Sequence, residues 1–110
     1  MAARPLAPGG MLRSMKTYRR QLSSEDAGTG SILIEKRAWR AFPPPMTEFA
    51  VDVAGARFAT RIVAEDCACV PPPHQHYHLE AGHFCHLLDF DRGSVIEIMP
   101  GEVGFIVRNG

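Results

Sequence analysis

Every cysteine and every histidine of this 110-residue chain lies between positions 67 and 86: Cys67, Cys69, His74, His76, His78, His83, Cys85 and His86. Thiolate and imidazole are the side chains that hold zinc, copper, nickel and iron. Their crowding into one short window points first to a metal site. The expected ion is divalent, zinc or iron before others, with nickel, manganese or copper also suited to such donors.

Two ligand sets are possible. Read as a strand, the run from His74 to Glu80 places His74, His76, His78 and Glu80 on one face, and Gln75, Tyr77 and Leu79 on the other. Two imidazoles and a carboxylate leave coordination positions open, as a catalytic centre requires. The other set is Cys67, Cys69 and Cys85 with His83 or His86, a closed tetrahedron that would act as a structural zinc staple in a small domain. A blander reading stands beside both. Cys85 can be a small buried hydrophobe, and the histidines an exposed strand face or hydrogen-bonded core groups.

The elements that must position these groups read mostly as strands. Residues 1–31 read as a basic leader and linker, with a short helix expected over Met11–Leu22. Residues 32–110 read as one domain. Short strands are expected at Ser31–Lys36, Thr47–Val53, Arg57–Ala64, Cys67–Val70, His74–Glu80, Ser94–Met99 and Glu102–Val107. Ala54-Gly55 and Pro100-Gly101 read as turns, and Leu79–Leu88 as the one other stretch able to form a helix. Many short strands between turns predict an all-β fold, a small barrel or sandwich.

The stretch from Pro72 to Glu80 resembles the first motif of the cupins, whose HxH–three–Glu core is matched by His74, His76 and Glu80. Pro100-Gly101-Glu102-Val103-Gly104-Phe105-Ile106 looks like the strand entry of the second motif. Ala68 and Leu87 stand where the first motif has glycines, and the second motif's histidine has no counterpart before Gly110. The resemblance implies a double-stranded β-helix barrel enclosing a divalent metal on His74, His76 and Glu80, acting on a small molecule.

Charge and composition narrow the classes. Residues 1–24 carry five basic side chains and no acid, whereas residues 25–110 carry twelve acids and seven bases. The balance of zero disfavours a dedicated nucleic-acid binder. An alternative remains: a non-enzymatic module with zinc on Cys67, Cys69, Cys85 and His86 that contacts protein or nucleic acid. The basic residues Lys36, Arg37 and Arg40 around Trp39, the one tryptophan, would be the contact patch, since an aromatic ring stacks on a base while cations meet phosphate. A metal-buffering role would also explain surplus ligands. No apolar run is long enough to span a membrane, and CxC spacing with an odd cysteine suits a reducing, cytoplasmic setting. No GxSxG serine or phosphate-binding glycine loop is present. An apolar last strand predicts an open sheet edge and a homodimer.

Overall fold

A computed structural model describes residues 17–67 and 74–110. Tyr18–Gln21 forms β1, Ser24–Thr29 the short helix α1, Ser31–Ile34 β2, and Lys36–Trp39 the single helical turn α2. Phe49–Val53, Ala56–Thr60, Ile62–Cys67 and His74–Glu80 form β3, β4, β5 and β6. After a 3-10 turn at Cys85–Leu87 come Val95–Pro100 (β7) and Phe105–Asn109 (β8). The strands make two sheets, ordered β1-β7-β8-β3-β4 and β2-β6-β5. Neighbours are antiparallel except β3 and β8, which run parallel with Val51 opposite Phe105.

The all-β class is therefore present, but among the described residues the two sheets do not close into a barrel, cupin-like or otherwise. Apolar residues from both sheets meet in one core. Ile32, Leu79 and Ile62 form a cross-strand row of the three-stranded sheet, each at most 1% exposed. Val51, Val53, Ile96, Ile98 and Val107 face them from the five-stranded sheet, and Phe84 fills the space after β6.

Several boundaries differ from expectation. Of the segment read as leader, residues 18–31 belong to the fold. Tyr18 and Leu22, four apart as in a helix, are both buried, yet Tyr18–Gln21 is a strand paired with β7. The Tyr18 hydroxyl donates to the Leu33 carbonyl at 2.8 Å and accepts from the Glu35 amide at 3.1 Å, which ties β1 of one sheet to β2 of the other. Residues 11–16 of the expected helix lie outside the described residues.

The linker holds α1 because Ser23 and Asp26 make a capping box. The Asp26 amide donates to Ser23 Oγ at 3.1 Å, and the Ser23 amide donates to the Asp26 carboxylate at 3.2 Å. Gly30 ends the helix in the left-handed region, φ 70°.

The alternation predicted across Arg57–Ala64 is real but changes sheets at Arg61. The Thr60 hydroxyl donates to the Glu80 carbonyl, and the Glu80 amide donates to the Arg61 carbonyl at 3.2 Å, fixing this corner. The last strand is no sheet edge: β8 lies between β7 and β3, so the basis for expecting a homodimer falls away. Its position depends on Gly104, φ 76°, packed directly on the backbone of Ala50.

Candidate functional site

Strand β6 sorts its side chains as the alternation predicts. Leu79 is in the core and Tyr77 packs against it, while His76, His78 and Glu80 face the other side of the sheet. A shared face is not a shared ion. A strand advances about 3.3 Å per residue, so His76 and Glu80 stand roughly 13 Å apart and the two ends of β6 about 20 Å. Glu80 and His78 turn to neighbours on β5 or beside it. Arg61 Nε donates to Glu80 Oε1 at 3.0 Å, and His78 Nε2 lies 3.4 Å from Glu65 Oε1. His78 Nδ1 is buried and has no hydrogen-bond partner among the described residues. The His76 and His78 rings are 6.5 Å apart between centroids.

Among the described residues no three His, Cys, Asp or Glu side chains come together closely enough to hold a metal ion. The metal-binding, zinc and cupin-like expectations are corrected accordingly. Of the structural set, Cys67 is described by its backbone alone. Cys67 pairs with His74 at the start of β6, whereas Cys85 and His86 follow its far end, where the Cys85 amide donates to the Ala81 carbonyl. Cys69 lies outside the described residues.

What β6 and its neighbours do form is an acidic groove of about 480 Å³, lined by Glu25 and Thr29 of α1, Glu65 of β5, and His78, Glu80 and His83. A continuation of this face carries Asp26, Asp66 and His76. Sequence reading missed this groove because α1 was taken as linker; the Ser23–Asp26 capping box was the signal that could have revealed it.

The other notable surface is the edge at α2. The Trp39 and Tyr77 rings stack at 5.0 Å with 12° between planes, and both are half-buried at the rim of the core. The Arg40 guanidinium lies over Trp39, 5.5 Å from the ring centroid. Lys36 and Arg37 precede them, and both are exposed. Tyr77 was expected to point away from the histidine face, which it does; that it stacks on Trp39 required the tertiary fold.

Electrostatics distinguish this edge. The described residues include nine basic and twelve acidic side chains. Six of the nine are bound to carboxylates at 2.6–3.2 Å: Arg19 and Arg108 to Glu97, Arg20 to Asp26, Arg37 to Glu35, Arg57 to Asp52 and Arg61 to Glu80. Lys36, Arg40 and Arg92 have no carboxylate partner among the described residues. Two of those three sit beside the stacked rings.

No protein-family model matches the chain, and no curated protein matches it in sequence. A solved structure matches it in fold. The fold is similar to that of a chain in an Arabidopsis FUS3–DNA complex. The TM-score is 0.66, over 84% of this chain and 93% of that one, at 13% identity. At that identity the likeness establishes the fold and no more. It replaces the cupin resemblance, whose motifs fall here on an open two-sheet architecture. No described helix is long and apolar enough to cross a membrane.

Proposed function

We propose that the chain is a non-enzymatic binding module whose partner is nucleic acid, contacted through the α2 edge. The observation that carries this reading is the fold shared, over most of both chains, with a chain from a DNA complex. The α2 edge supports it locally. Lys36 and Arg40 can meet phosphate without first giving up a described carboxylate, and an exposed cation gains by displacing condensed counterions from the polyanion. The described residues, with nine bases and twelve acids, are net acidic, but two of their three cations without a carboxylate partner sit together at the α2 edge. Arg4, Arg13 and Lys16, which precede the described fold, add three positive charges and no acid.

Fluorescence anisotropy with labelled single-stranded and duplex DNA tests the reading. The expected outcome is binding in low salt with affinity falling steeply as salt rises, reduced by charge reversal at Lys36 and Arg40. Failure to bind either form in low salt would overturn it.

A further inference from the structure

We infer that the preferred partner is a single strand, with a base stacked at the Trp39–Tyr77 pair and its neighbouring phosphates on Lys36 and Arg40. This rests on the nucleic-acid reading above and narrows it. Three observations carry it.

The first is the ring pair itself, parallel, half-buried and with an arginine against it. Aromatic rings beside cations are the means by which proteins hold unpaired bases without reading sequence. Within a duplex those base faces are covered by stacking and cannot reach such a ring.

The second is the size of the basic patch. Lys36 and Arg40 suit one or two phosphates, whereas duplex DNA carries a charge for about every 1.7 Å of its axis and needs a broad cationic track. Arg37, on α2 beside them, is paired with Glu35, and the other described cations, Arg92 apart, are held in ion pairs away from this edge.

The third is the neighbouring surface. A small groove of about 250 Å³ beside Lys36 is lined by Glu35, Gln75, His76 and Tyr77 together with Leu33 and Ile34. Leu33 and His76 also line a face that holds Glu25, Glu65 and Asp66, with Arg20 there paired to the buried Asp26. A rigid duplex laid on the α2 edge would bring its phosphates over those carboxylates. A flexible strand can place one base and its flanking phosphates at the edge and turn away.

Trp39 is the sole tryptophan, so its emission reports directly on stacking. The full chain is titrated in low salt with a short oligothymidylate and, separately, with a DNA duplex of the same length. The inference expects the single strand to quench Trp39 and to bind about tenfold more tightly than the duplex. Lys36→Gln with Arg40→Gln, two exposed changes that leave the core intact, should weaken single-strand binding at least fivefold, with unchanged circular dichroism. Tyr77→Leu should reduce the quench.

Tighter binding to the duplex would overturn the inference while leaving the nucleic-acid reading in place. So would single-strand binding that neither quenches Trp39 nor responds to the two glutamine substitutions. If neither form binds, the nucleic-acid reading fails and the inference with it.

Discussion

Replacing Gly104 by alanine puts the sheet architecture under direct test. The Cβ added there would lie 2.0 Å from the Ala50 carbonyl oxygen and 2.9 Å from its carbon. Those are backbone atoms of β3 and cannot rotate aside. The residue also holds φ at 76°, which costs an L-residue about 1–2 kcal/mol. Relief of the clash requires β8 to move off β3, where Val51 pairs with Phe105 and Asp52 with Ile106. Strain and lost pairing together give about 3–5 kcal/mol, at the exceptional end for one substitution.

In a domain of this size that corresponds to a fall in Tm of roughly 12 °C or more. Gly55→Ala is the control. It has φ 83° but nothing within 4 Å of the added Cβ, so it should cost only the strain, about 1 kcal/mol. Urea unfolding followed by circular dichroism reads both. Equal losses at the two glycines would refute the argument that β8 is seated against β3 by the absence of a side chain at position 104.

Three further outcomes follow from the same physical reasoning. Asp26, 3% exposed, caps α1 and accepts from Arg20 Nε at 2.9 Å, so Asp26→Ala should cost about 2–4 kcal/mol in urea unfolding; a loss below about 0.5 kcal/mol would remove the cap and ion pair as determinants. Burial raises the Tyr18 phenol above its usual 10.0, so the folded state resists ionisation. The stabilisation is complete below about pH 10 and is lost as pH rises through the folded value. Tyr18→Phe should therefore flatten the alkaline fall in stability while costing about 1–2 kcal/mol at neutral pH, and an unaltered alkaline limb in a pH–urea series would count against it. In salt titrations of nucleic-acid binding, Lys36→Gln should lower the log–log slope by about one; an unchanged slope would place the phosphate contact elsewhere.

Period-two alternation was enough to read β3, β4 and β6, because the face a strand residue occupies depends only on its own chain. It also put His76, His78 and Glu80 correctly on one side of β6. It could not say what stood opposite. Arg61, just before β5, reaches Glu80, and Glu65 of β5 stands across from His76; with Glu25 of α1, Glu65 and Glu80 make this face an acidic groove. The Tyr18–Leu22 spacing fits a helix and a strand-then-loop equally well, and only pairing with β7 chose between them.

What the sequence determined alone is therefore local: strand faces, the two hairpin turns, and the basic cluster around a single tryptophan. What the tertiary structure decided is long-range: the change of sheets at Arg61, the internal place of β8, the stacking of Tyr77 on Trp39, and the separation of Cys67 from Cys85. The physical reason is that a side chain's direction is set by its neighbours in the chain, whereas convergence depends on backbone pairing between distant segments. Residue spacing does not encode that pairing.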